Sequence, residues 1–343
     1  MKKFILKIMA TAYVLITYNA AGQEACTQQD PSTKKVYFPL DAREMKEKFP
    51  QIRESLPTLR EFGDEQIMRI MDSMGSDYYW EHETANEQVS EGILILAHGV
   101  NDFADQILFN DVEPLTQNYT TSIAFGMSMM TSKHISCALV QMQEKDLDVI
   151  HVIPLTESPY NTLIRQWRYA FGFEPTYTYA DIEIIDNAKI NFLEPINDHI
   201  YAREIVYEHA MEISKDPQQE TVIIVAHGPI DTADNAKQLQ IMQNIAEHIQ
   251  DKGNFHSVFP LSLQDDADPD IRSGNVMSFR DIVEKNSSQS RRTLVVTDLM
   301  SSEGIQSRIK NDLDGLEYAF NEKGIVSHPL FIEWVKDTAR GSE

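Results

Sequence analysis

The chain has 343 residues, 42% of them hydrophobic, which suffices for a packed core in each of two ordinary domains and excludes a disordered polypeptide. Its 53 acidic against 30 basic side chains give a formal net charge of -23, spread along most of the length. Such a surface repels nucleic acid and anionic lipid, so neither is an expected partner, and the acidity is read first as an aid to solubility.

At the start, Lys2, Lys3 and Lys7 flank an apolar stretch from Ile8 to Tyr18, followed by Ala20, Ala21 and Gly22. Basic, apolar and small residues in that order predict a secretory signal peptide over residues 1–22, cleaved near Ala21 to Gln23. The apolar run falls short of the ~20 residues of a spanning helix, which disfavours a retained anchor. Gln23-Glu24 are poor neighbours for a lipid-modified Cys26, and no later segment could cross a bilayer. The mature chain is therefore expected to be exported, periplasmic or secreted, with no stable membrane insertion. Cys26 and Cys137 could pair in an oxidising compartment, but two cysteines make no disulfide scaffold, and Cys137 reads as a buried small hydrophobe.

Residues 23–87 read as a linker and helical extension. Residues 24–40 are polar, with Pro31 and Pro39, and predict a tether; the spacing of Met45, Phe49, Ile52, Leu56, Leu59, Phe62, Ile67 and Ile70 predicts helix over 41–74. The Glu-rich stretch 81–91 predicts a solvated connection. From Gly92 the texture changes to short, continuous apolar runs at 93–97, 122–125, 149–153, 222–226 and 294–296, separated by helix-length segments. Runs of that kind suit strands covered on both faces, hence a parallel sheet flanked by helices. Val258 to Leu261 is a further candidate strand, and the acidic run Asp265 to Asp270 lacks the ligand spacing of a calcium loop, so it predicts a solvated turn.

An internal repeat organises these runs. Residues 97–105 read A-H-G-V-N-D-F-A-D and residues 226–234 read A-H-G-P-I-D-T-A-D; His227 lies 129 residues after His98, about one α/β domain. The predicted fold class is α/β, with two tandem doubly wound, mainly parallel-sheet domains over 88–214 and 215–343. Ligands of open α/β sheets bind beyond the carboxyl ends of the strands, where both motifs fall. Gly99 and Gly228 would let the backbone bend and raise His98 and His227 to the sheet edge. The imidazoles are candidate metal ligands, proton acceptors or structural groups. Asp102 and Asp231 are candidates either for ligand binding or for capping the following helix. No G-x-S-x-G elbow, P-loop, G-x-G-x-x-G turn or clustered Cys/His zinc pattern occurs.

A strand, then A-H-G with an Asp four residues after the His, then a helix, repeated in tandem, resembles the class II tetrapyrrole chelatases, the sirohydrochlorin cobaltochelatase and ferrochelatase family. Further similarity lies in I-A-F-G at 123–126, V-I-P-L at 152–155 and F-L-E-P-I-N-D-H-I-Y-A-R-E at 192–204. The resemblance covers residues 88–335 and implies insertion of Co²⁺ or Fe²⁺, as substrate, into an anionic tetrapyrrole without a nucleotide. It implies that His98 and His227 bind metal or take the pyrrole protons. The sequence departs from the family in the loop after the P-L strand, Pro154 to Asn161, where a second active-site His is usual and none occurs; Asp298 to Gln306 has none either. Glu157 and Glu303 are the nearest substitutes, each otherwise a solvated loop residue. Arg165, Arg168 and Arg203 could meet carboxylates or pair within helices. The leading reading is an enzyme; the alternatives are a non-catalytic metal or tetrapyrrole carrier and an interaction module with a vestigial cleft.

Overall fold

The computed structural model describes Cys26 and residues 28–85, 88–185 and 189–341. The predicted leader over residues 1–22 lies outside the described residues. In chain order the elements are β1 (Val36–Phe38), α1 (Ala42–Ser55), α2 (Asp64–Met74), β2 (Asp77–Glu81), β3 (Glu91–Ala97), α3 (Asp102–Val112), β4 (Thr120–Phe125) and α4 (Lys133–Gln143). Then follow β5 (Val149–Pro154), α5 (Thr162–Ala170), β6 (Ile190–Phe192), α6 (Ile200–Ile213), β7 (Glu220–Ala226), α7 (Thr232–Gly253), β8 (Ser257–Ser262), α8 (Pro269–Ser288), β9 (Arg292–Thr297), α9 (Ile305–Asp312), β10 (Ala319–Phe320) and α10 (Pro329–Ala339).

The strands form two sheets, β1-β2-β4-β3-β5-β6 and β10-β9-β7-β8. The α/β architecture is the predicted one. In each half the first strand of the repeat lies between its second and third, the fourth lies outside the third, and all these pairs are parallel. The halves thus share one strand order, and the repeat falls in register: Ala97 faces Phe125 and Ala226 faces Ser262. Strands β3 and β7 are buried along nearly their whole length because helices cover both faces, which is why they read as unbroken apolar runs.

Two expectations about the N-terminal region are corrected. The polar tether contains β1, which pairs antiparallel with β2, and the Glu-rich connection, whose described interior is a loop as expected, begins on β2, which pairs antiparallel with β4 and extends the first sheet beyond its parallel part. Tyr78, Tyr79 and Trp80 of β2 are buried, so the edge of β4 gains aromatic cover that only the folded sheet reveals. Cys137 is buried, but as half of a disulfide with Cys26 that ties the start of the described chain to α4. The helical reading of 41–74 holds, with Asp41 capping α1 through a capping box with Glu44.

Helix α10 crosses back from the end of the chain to the first sheet. Phe331, Trp334 and Val335 share a core with Ile93 and Ile95 of β3 and with Ile205 of α6, while Val206 and Ala210, on the next face of α6, join the core over β7 and β9. Trp334 is 1% exposed. Trp334→Ala is expected to cost about 3–5 kcal/mol and to speed hydrogen exchange in β3 and β4 before β7 and β9. Unchanged exchange in β3 would remove α10 from that core. Among the described residues no helix is long and apolar enough to cross a membrane.

Candidate functional site

The two imidazoles are built identically. After Ala97 and Ala226 the chain bends through Gly99 at φ 76° and Gly228 at φ 80°, conformations that L side chains rarely adopt. At Gly228 a Cβ would also fall 2.0 Å from Ser262 Oγ. The bend folds the following carbonyl onto the preceding ring: His98 Nδ1 bonds to Gly99 O, and His227 Nδ1 to Gly228 O at 2.9 Å. A carbonyl can only accept, so the bend places a donor at Nδ1 of both rings; at His98 this leaves Nε2 free to face the strand-end opening, whereas at His227 Nε2 faces a carboxylate. The sequence reading put the rings at the sheet edge; the donor at Nδ1 follows from the bend.

The rings share one electrostatic environment. His98 is solvent-accessible at the strand ends yet surrounded by protein mass, and this desolvation, aided by the charge of His227, lowers its pKa below the ordinary imidazole value. The Gly99 carbonyl and the carboxylates of Asp266 and Asp105 pull the other way. His227 Nε2 lies 3.4 Å from Asp266 Oδ2. Asp266 therefore acts on both rings, a role that a lone residue in an acidic run does not advertise. The solvated-turn reading of Asp265 to Asp270 is corrected at its start, where Asp265 is buried between Arg272 and Arg308; the run does begin with a turn, and Asp268 and Asp270 are exposed, Asp268 capping α8. Among the described residues no three His, Cys, Asp or Glu side chains form a ready-made metal cage.

The repeat's aspartates do different work in the two halves. Asn101 caps α3; Asp102, one residue on, is exposed and paired with Lys35 at 2.8 Å. Asp231 caps α7 by accepting from Asp234 N at 2.9 Å. The last aspartates, not singled out from sequence, are the buried ones. Asp105 accepts from Tyr78 Oη and Val100 N, with burial raising its pKa, and Asp234 pairs with Arg165 at 2.6 Å and with Lys237.

Of the loop acids, Glu157 is 5% exposed and accepts from Asn161 Nδ2 and, across to α7, from Gln238 Nε2 at 3.1 Å. It is not a solvated loop residue; it joins the two halves. Glu303 is exposed and accepts from Asn101 Nδ2 beside the His98 bend. Arg168 pairs with Glu174 and Glu194, and Arg203 with Asp198.

A cavity of about 720 Å³ opens beside His98, lined by the N-terminal extension, the β3 bend and the loop after β4. Asp77 on its wall is pushed up to about 7 by burial, and His134, 3.5 Å away, down to about 3 by its own burial. Near neutral pH this contact therefore joins a neutral imidazole to a carboxyl that is only partly ionised.

Asp298 marks where the halves diverge. Leu155 N donates to Leu96 O and Asp298 N to Val225 O, equivalent positions of the repeat, so a fully buried Asp stands where the first half has Leu. Its Oδ1 has no hydrogen-bond partner; burial first, then the charges of Glu157 and Asp198, raise its pKa well above the ordinary value of 3.8. A raised folded-state pKa gives stability that is full below the unfolded value and lost as pH rises through the folded one. Asp298→Leu is accordingly expected to stabilise by about 1–3 kcal/mol at neutral pH, with the gain shrinking towards pH 4. A gain independent of pH in denaturant titrations would contradict the burial of a titrating acid.

No family model and no curated protein matches the sequence. Among solved structures, SirB from Bacillus subtilis with Fe³⁺ superposes with a TM-score of 0.54 at 17% identity, covering 74% of this chain and 97% of that one. This chain has a chelatase-like fold. DR2241 from Deinococcus radiodurans, described as a multi-domain protein with structural similarity to chelatases and two additional novel domains, gives a TM-score of 0.45 at 14% identity over 73% of this chain and 54% of its own. At these identities the likeness is one of fold, and the chemistry has to be argued from the strand-end side chains.

Proposed function

We propose that the chain is an exported chelatase that inserts a divalent ion, Co²⁺ or Fe²⁺, into a tetrapyrrole without a nucleotide. One observation carries the reading: two imidazoles, on equivalent bends of halves with the same strand order, are each held through Nδ1 by the following glycine carbonyl and stand within electrostatic reach of the other. Metal insertion needs a donor for a partly dehydrated ion and an acceptor for the pyrrole protons, and neutral imidazole serves both near neutral pH. The lowered pKa of His98 keeps it neutral where an ordinary His would begin to protonate. His227 lies against the Asp266 carboxylate while His98 lines the open cavity, which suits His227 to handling the pyrrole protons and His98 to metal delivery. The fold neighbour SirB was solved with Fe³⁺, in keeping with iron as a candidate ion for this fold.

Glu157 is committed to Asn161 and Gln238, so only the exposed Glu303 beside the His98 bend is left to stand in for the family's second His, an observation that favours a carrier without turnover. The two readings separate spectroscopically. Purified protein mixed with sirohydrochlorin or another metal-free tetrapyrrole and Co²⁺ or Fe²⁺ is expected to convert many equivalents above the uncatalysed rate. A spectral shift that stops at one equivalent would establish the carrier.

A further inference from the structure

The cavity beside His98 differs in chemistry from the acidic surface around it. Six of the chain's 14 methionines, Met45, Met71, Met74, Met127, Met129 and Met130, line it, in two groups contributed by the N-terminal extension and by the loop after β4. Tyr37, Phe38, Tyr78 and Phe125 add aromatic surface. Its volume of about 720 Å³ is that of a small-molecule site, which typically spans ~300–1,000 Å³. Thioethers are polarisable and unbranched, so a methionine wall conforms to a flat apolar face and makes favourable sulfur–aromatic contacts.

Charge sharpens the choice of occupant. The lining includes Asp72, Asp77, Asp102 and Asp105 and no Lys or Arg. Lys35 donates to Asp102 and lies over the rings of Tyr78 and Trp80, so its charge is already engaged. A macrocycle ringed with carboxylates would find no lysine or arginine in the lining to pair with, and would meet exposed acid in a chain whose net charge is -23. We infer that this cavity takes a planar tetrapyrrole carrying few carboxylates, its apolar face against the methionines and its nitrogens towards His98, and that it discriminates against polycarboxylate macrocycles such as sirohydrochlorin. The inference rests on the chelatase reading for the class of ligand and departs from the family resemblance in its acidity.

The test is an equilibrium titration of the full mature protein, by absorbance and fluorescence quenching, with two metal-free probes: protoporphyrin IX, which has two carboxylates, and uroporphyrin, which has eight. Protoporphyrin IX is expected to bind at least ~10-fold more tightly at low ionic strength, with the gap narrowing as salt screens the repulsion. Met74 lines the cavity and is 48% exposed, so it can be changed without disturbing a core. Met74→Glu is expected to weaken protoporphyrin IX severalfold and Met74→Lys to strengthen uroporphyrin, whereas Met277→Glu, on the exposed face of α8, leaves both unchanged. Uroporphyrin binding as tightly as protoporphyrin IX, binding of neither, or indifference to both Met74 variants would overturn the inference. Adding Co²⁺ or Fe²⁺ then separates the two proposals. Preferential metallation of uroporphyrin sinks the inference and leaves a chelatase, while selective binding of protoporphyrin IX with no metallation sinks the chelatase and leaves the cavity's selectivity.

Discussion

His98→Ala and His227→Ala are each expected to slow metal insertion by ~10²–10⁴-fold, the range that a positioned acid–base group contributes, while leaving the thermal midpoint nearly unchanged. Stability should survive because both rings lie at the strand ends, outside the packed cores, and their only described hydrogen bonds are to neighbouring glycine carbonyls. The two variants should differ in kind. His98 lines the cavity and has the lowered pKa, so its loss should weaken metal binding as well as turnover. His227 faces Asp266, so its loss should spare metal binding and depress the proton-dependent step. For the unmodified protein, insertion should fall as pH drops through the pKa of His98, and because that pKa is depressed the fall should come at lower pH than for an ordinary imidazole. Asp266→Asn tests the pairing: it removes a charge that holds the pKa of His98 up, so the acid limb of the rate profile should move to lower pH. Wild-type rates in both alanine variants would end the case for the paired imidazoles.

Much of this geometry could be read from the sequence, because its signals are local. The A-H-G strings sit directly after β3 and β7, and a run such as Ile93 to Ala97 declares a doubly covered strand by composition alone. What escaped depends on partners distant in the chain. Strands β1 and β2 are three and five residues long, too short to be stable alone, and exist because the edge of β4 offers them hydrogen bonds. Glu157 looked solvated because nothing near it in sequence announces Gln238 of α7, and Asp266 looked like one acid among several because only the fold brings it to His227. Asp298 shows the limit of reasoning from a repeat: the duplicated backbone predicts its place, but not that an acid replaces Leu155 there.

The bond between Cys26 and Cys137 should matter next most. Reduction, or a Cys26→Ser/Cys137→Ser double variant, is expected to cost about 2–5 kcal/mol, because the bridge spans 111 residues of sequence and its removal frees a long loop in the unfolded chain. The loss should also be localised. Tyr79 Oη donates to Cys26 O, and Cys26, Val36, Phe38 and Tyr79 belong to the same core as Cys137, so opening the bridge loosens the start of the extension where it meets β2 and α4. Hydrogen exchange should therefore quicken in β1 and α1 well before β7 and β9, and binding in the methionine-lined cavity should weaken with it, since Tyr37, Phe38 and Met45 form part of the lining. A reductant-insensitive melting curve would show that the bridge contributes little. A sensitive one would tie the integrity of the site to an oxidising compartment, the setting in which such bonds persist and the one proposed for the exported chain.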